Sequence, residues 1–289
     1  MPLDGLRASI ASRVRAGVAG RPQDAAARRA ELFDAPGPRW FDDDAPIKRI
    51  HADSAMFVGG LRALLLQSLH PLAMAGVAQH SDYRHDPWGR LQRTADFLAA
   101  TTYGPADKAD EAVARVKAVH RHVVGTTPDG RTYDASDPHL MRWVHVAEVD
   151  SFLAAYRRYG DAPLTSADAD RYVADMAEVA HHLGVPAPPR STRALHDQIR
   201  SFRPELEGTS EARDAARYLL LQPPMHLVAR GPYAVLAAAA VALLPRWARS
   251  PLHLPWLPVF EAVAVRPAGD VLTRTLRWAL QPPPRPVPG

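Results

Sequence analysis

The sequence predicts an all-α fold, a single-domain helical bundle, from three observations. Apolar residues recur at threes and fours along most of the chain, the period of one helix face. No segment alternates apolar and polar residues, and no turn joins two β-branched runs. Gly-Pro, Asp-Pro and His-Pro pairs cut the apolar runs into helix-sized pieces.

Residues 1–38 read as a polar, Ala- and Arg-rich lead-in with one amphipathic helix, closed by Pro36-Gly37-Pro38. From Ile47 the helical pattern runs through Ile50, Ser54, Phe57, Val58, Leu61, Leu64, Leu65 and Leu69. Inside it sits Gly59-Gly60. Glycine costs about 1 kcal/mol in a helix interior, so the pair marks close approach of another backbone or a ligand, or a break.

Proline disfavours α geometry in the residue before it, so His70-Pro71 ends this helix and a second covers residues 72–79. Asp86-Pro87 is an N-cap followed by a first-turn proline, and it opens a helix that stops at Gly104-Pro105. Residues 106–124 repeat Val113, Val116, His120 and Val123 on one narrow face, which turns His120 inward and His122 outward.

Pro128-Asp129-Gly130 is a turn, and Asp137-Pro138 starts the helix carrying Trp143, Val144, His145, Val149 and Phe152. Further helices are expected at 165–184, 194–202, 211–221 and 233–244. The ending QPPPRPVPG has too little to bury and is expected to be disordered or polyproline II. The organisation expected is therefore a lead-in over 1–43, a helical domain over 44–250 and a C-terminal extension over 251–289.

Composition narrows the chemistry. The 289 residues contain no cysteine, which excludes disulfides, thiolate metal sites, iron–sulfur clusters and cysteine nucleophiles. The net charge of +4 comes from scattered basic residues, so no nucleic-acid footprint is expected. The opening MPLDGLRASIASRVRAG lacks the apolar core of a signal peptide, and the longest apolar run, residues 233–244, falls short of the ~20 needed to span a bilayer. A cytoplasmic location is expected. Trp247, Trp256, Arg246 and Arg249 among prolines suit contact with a membrane surface.

The most informative stretch is 64–104. On a helix, Arg93, Thr94, Phe97 and Thr101 fall within roughly 60° either side of Arg90, a face mixing cations, hydroxyls and an aromatic ring. Buried cations need partners, so this face suits the wall of a site for an anionic ligand. His70, His120 and His145 each lie in apolar helical context, where a single histidine is most often a hydrogen-bonded core residue. Together they suit haem, which takes a His ligand, cations or hydroxyls for its propionates and an apolar slot for its ring. No GxSxG, HExxH or phosphate loop is present.

The segments LLLQSLHP, HSDYRHDPWGRLQRT and VKAVHRHVVGTTPDGRTYDASDPHLMRWVH resemble the oxygenase MpaB and latex-clearing-protein (rubber oxygenase) superfamily, over residues 44–244. The resemblance implies an all-helical fold with a globin-like core, a b-type haem, and dioxygen chemistry that cleaves a carbon–carbon double bond of an isoprenoid chain to carbonyl products. The family's R-x-x-[KR]-T motif falls on Arg90 and Thr94, which the resemblance puts on the distal side of the haem. Arg93 takes the place of a lysine that can ligate iron in rubber oxygenases, and a permanently protonated guanidinium is a poor ligand. The proximal histidine matches His120, with His122 as runner-up. His70, His145, Arg93 and Phe97 complete the expected cofactor pocket.

The acidic residue that rubber oxygenases carry upstream of the motif is replaced here by Ala73 or Met74, so rubber itself is not implied. The partners expected are dioxygen and an apolar, unsaturated small molecule. Three other readings stay open: a non-catalytic haem sensor or carrier, a metal-free helical protein, and a non-haem iron site built from His70, His120 and His145.

Overall fold

The computed structural model describes residues 7, 11, 12, 30–223 and 225–280. Most of the lead-in and the whole of the proline-rich ending lie outside the described residues. Helix accounts for 71% of the structure. The sheet among the described residues is one two-stranded hairpin, so the class is all-α.

Two helices form the centre. Helix α1 (Pro46–His51) leads through a short break into α2 (Ala55–Gln67), and α6 (Pro138–Tyr159) packs along α2. Gly59 allows the close crossing: a Cβ there would lie 2.9 Å from the Phe152 ring and 3.2 Å from the Ala155 Cβ. The neighbouring Gly60 faces open space. Of the two sequence readings of the glycine pair, close approach therefore holds at Gly59. The break in the expected 47–69 run comes earlier, at Asp53, whose carboxylate caps the Ala55 N–H at 2.7 Å.

Arg62 fixes the same crossing. It is 4% exposed and donates to Asp150 at 2.7 Å, to Ser151 at 2.6 Å and to the Leu243 carbonyl at 3.0 Å. A buried cation is tolerable only with partners of this kind. Leu65 and Leu66 of α2 and Leu69, just past its end, share one buried core with Trp143, Val146, Val149 and Leu153 of α6 and with Tyr172, Val173 and Met176 of α7 (Ser166–Leu183). Each such side chain contributes about 1.5–3 kcal/mol by leaving water.

The rest of the chain wraps this pair. His70-Pro71 bends the path by 107° between α2 and α3 (Pro71–His80). Helices α4 (Pro87–Tyr103) and α5 (Ala106–His120) form a hairpin about Gly104-Pro105, the first capped by Asp86, which accepts from the Gly89 N–H at 2.9 Å.

Helix α5 ends sooner than its 106–124 expectation, because Val124–Thr126 pairs antiparallel with Thr132–Asp134 as β1 and β2. The Pro128-Asp129-Gly130 turn closes this hairpin, with Gly130 at φ +87°. Strands of three residues are too short to display alternation, which is why the sequence reading contained no hairpin.

Helix α8 (Thr192–Phe202) buries Leu195, Ile199 and Phe202 at helical spacing and runs into a 3₁₀ turn, Arg203–Glu205. Helix α9 (Ser210–Leu221) precedes α10 (Leu227–Leu243), which begins before residue 233, at Leu227, and holds Pro232 inside. After α11 (Arg246–Arg249), a turn at Pro258–Phe260 and a π-helical turn at Glu261–Val265 lead into α12 (Arg266–Leu280), which packs on α10 and α6. No single helix among the described residues is long and apolar enough to cross a membrane.

Candidate functional site

The α4–α5 hairpin carries most of the residues singled out in the sequence. With a rise of ~1.5 Å per residue, Arg90 and His120 lie about 21 and about 22 Å from the Gly104-Pro105 corner, at matching heights on the two arms. Arg90 is half-buried and its guanidinium donates no hydrogen bond to any described residue. Burial pulls its pKa down, partly offset by the neighbouring Tyr83. The Thr94 hydroxyl donates to the Arg90 carbonyl at 3.1 Å, and Thr101 repeats the pattern on Phe97 at 2.9 Å. Phe97 packs against the main core.

Arg93 behaves differently from its neighbour. Its side chain is 68% exposed and donates to the capping carboxylate of Asp86 at 3.2 Å.

His120 closes α5, half-buried, with no hydrogen bond from its ring to any described residue. Burial lowers its pKa against the opposing pull of Asp134, so the neutral imidazole with a free lone pair is favoured. His122 is exposed and donates to the Ala118 carbonyl at 2.9 Å. Periodicity therefore distinguishes the two correctly as half-buried and exposed. Leu91 on α4 exposes 40% of its surface, Val119 on α5 61%, and Val124 just after α5 51%.

His145 lies in the interior on α6, 7% exposed, with Nε2 unpartnered and its pKa pushed down to about 4 by burial. One turn on, the Glu148 carboxyl is pushed up to about 7 by the same cause. His51, held down to about 3, hydrogen-bonds the Thr102 hydroxyl at 2.9 Å and the Tyr172 hydroxyl at 3.3 Å. These interior polar groups include two that the sequence reading passed over, His51 and Glu148. A carboxylate three residues after His145 in an otherwise apolar run was the available signal.

His70 keeps other company. It is 3% exposed and its ring lies near His139, Trp143 and Phe202. Glu205 completes the group, and one ligand-type atom from each of His70, His139 and Glu205 lies within 4.8 Å of the others. His120 and His145 are not members of this group, so the structure does not gather His70, His120 and His145 as one three-imidazole set. His139 and Glu205 carried no sequence signal beyond the prolines that precede them.

Two cavities, of about 370 and 320 Å³, lie away from these faces. One is lined by Arg158, Asp270 and Arg277, the other by Trp40, Asp175 and His182.

The family model described as ER-bound oxygenase mpaB/B'/Rubber oxygenase, catalytic domain, matches residues 48–278. An uncharacterized protein of Mycobacterium bovis and one of Mycobacterium tuberculosis are each 30% identical to the chain over 187 residues, which is 60% of this chain and 69% of each relative. No solved structure matches.

Proposed function

The chain belongs to the mpaB and rubber oxygenase catalytic-domain family, and on that premise we propose that it is a haem-dependent oxygenase using dioxygen on an apolar, unsaturated substrate of isoprenoid or lipid-like kind. The observation that supports haem in this chain is the α4–α5 hairpin. It combines a neutral imidazole at His120 and a half-buried cation at Arg90, neither with a side-chain hydrogen bond among the described residues, with exposed apolar side chains on both arms. That donor set fits the iron, propionate and ring requirements of a b-type haem.

In this reading His120 holds the iron, and haem b supplies the redox chemistry of dioxygen. Arg90, protonated at any physiological pH, donates hydrogen bonds toward negative charge as it develops, in a setting drier than bulk water. Thr94 adds a hydroxyl one turn on. Phe97 and His145 are pocket residues, and Arg93 lies at the outer edge, held by Asp86.

The test is to express wild type, His120→Ala, His122→Ala and His145→Ala and compare Soret absorbance and pyridine-haemochrome content. His120→Ala should lose haem while His122→Ala keeps it, and intact haem in His120→Ala would remove the ligand assignment. Oxygen uptake with unsaturated isoprenoids then separates an oxygenase from a haem carrier, which would bind haem and consume no oxygen.

Peripheral contact with lipid is part of the same reading. Trp256, Leu257, Val259, Phe260 and Val263 are exposed together, Val259 at 75% and Val263 at 70%. Arg249 is not an available cation, since it is 1% exposed, pairs with Glu261 and lies 4.4 Å over the Trp256 ring. Val259→Asp with Val263→Asp should abolish co-sedimentation with anionic liposomes.

A further inference from the structure

We propose that His70, His139 and Glu205 form a binding site for a divalent first-row transition cation of the zinc or ferrous class, separate from His120. Three observations support it.

The first is an unpaired donor. His70 is 3% exposed, yet neither ring nitrogen has a hydrogen-bond partner among the described residues. Its Nε2 lies 3.4 Å from Glu205 Oε2, a contact too long and too poorly directed to satisfy it. A buried polar atom left unpaired carries a desolvation cost, and a metal ion removes it.

The second is spacing. His139 Nε2 donates to the same Glu205 oxygen at 2.7 Å. Two donors bound tetrahedrally at ~2.1 Å are about 3.4 Å apart, so the His70–Glu205 separation already matches and the His139–Glu205 pair has to open by about 0.7 Å. Two imidazoles and one carboxylate suit zinc and ferrous iron, whereas calcium and magnesium prefer all-oxygen sets.

The third is the scaffold. All three donors sit beside prolines that fix the local backbone: His70 before Pro71, His139 after Pro138, Glu205 after Pro204. Asp137 accepts from the His139 N–H at 2.8 Å, and the Glu207 N–H donates to the Leu69 carbonyl at 2.8 Å, tying the 3₁₀ turn to the α2–α3 bend. Phe202, with its ring 4.7 Å from His139, and Trp143 wall the inner side. The His139 and Glu205 side chains are 49% and 42% exposed, so an ion can enter from solvent and the remaining coordination positions face outward.

The test uses the full chain after treatment with chelator, titrated with Co²⁺ followed by its visible bands and with Zn²⁺ by calorimetry. One equivalent should bind in wild type and in His120→Ala, and affinity should fall at least tenfold in His139→Gln and in Glu205→Gln. Both variants change exposed donors, and circular dichroism checks their folding. Unchanged affinity in these two variants, or no binding to wild type at 100 µM, on the order of the weakest useful affinity, overturns the proposal. Because His120→Ala separates haem loss from cation binding, each assignment fails without the other.

Discussion

Arg277, near the end of α12, closes on Asp53 in the break between α1 and α2, with Nε 3.0 Å from one carboxylate oxygen and one terminal nitrogen 2.9 Å from the other. The Asp53 carboxylate also accepts the Ala55 and Asp161 N–H groups, and Arg277 donates to the Tyr159 carbonyl at 2.8 Å. The Asp53 side chain is 6% exposed and that of Arg277 13%. Removing one partner of a buried pair leaves the other charge uncompensated, at a cost of about 3–5 kcal/mol. Arg277→Ala is expected to lower unfolding stability by that amount, read as a shift in the urea midpoint at constant slope.

Gly59 and Gly60 are expected to respond oppositely to alanine. At Gly59 the added methyl meets Phe152 and Ala155 across the α2–α6 crossing, and overpacking of this kind costs roughly 1–3 kcal/mol. At Gly60 nothing lies within 4 Å, so the gain in helix propensity dominates and alanine stabilises by roughly 0.5–1 kcal/mol. Thermal unfolding of the two variants shows the difference in sign.

Stability should pass through a maximum near pH 6.5. His51 and His145 titrate at about 3 and about 4 in the folded chain against 6.5 unfolded, so as pH falls below 6.5 the unfolded state takes up protons first and stability drops. Glu148 titrates at about 7 against 4.5, so as pH rises from 4.5 to 7 the unfolded state releases its proton first and stability drops. Between pH 4.5 and 6.5 the buried imidazoles outweigh the Glu148 carboxyl, so stability rises with pH. Above 6.5 the carboxyl alone remains. Glu148→Gln should remove the decline above pH 6.5 and steepen the rise below it, measured by urea unfolding across pH 4.5–8.

The two arginines of α4 separate in the same way. Arg93→Ala removes a surface pair worth about 0–1 kcal/mol and should leave oxygen uptake within about twofold. Arg90→Ala removes the unpaired guanidinium and should lower it by about 10²-fold, the usual effect of losing one donor to developing charge. Equal effects of the two substitutions would contradict the assignment of Arg90.

Much of the architecture was legible because helix ends are written in local chemistry. Asp86-Pro87, Asp137-Pro138, Gly104-Pro105 and Gly184 lie at the boundaries where they were expected. The β hairpin and the break at Asp53 were not legible. The first is too short for a period, and the second depends on Arg277, distant in the chain. At the site, a 3.6-residue period was enough to distinguish His120 from His122. The partnership of His70 with His139 and Glu205 needs three separate elements brought together, and no spacing within one helix encodes that.

The central α2–α6 pair also has a consequence for synthesis. Helix α2 carries LRALLLQ, and the partner that covers it begins about 70 residues later. At roughly 5–20 residues per second, that apolar face waits on the order of several seconds on the ribosome before α6 emerges. The nascent chain therefore presents a strongly hydrophobic segment to chaperones early in translation. Variants that weaken the α2–α6 crossing, Gly59→Ala among them, should lower soluble yield more than their equilibrium stability alone would suggest.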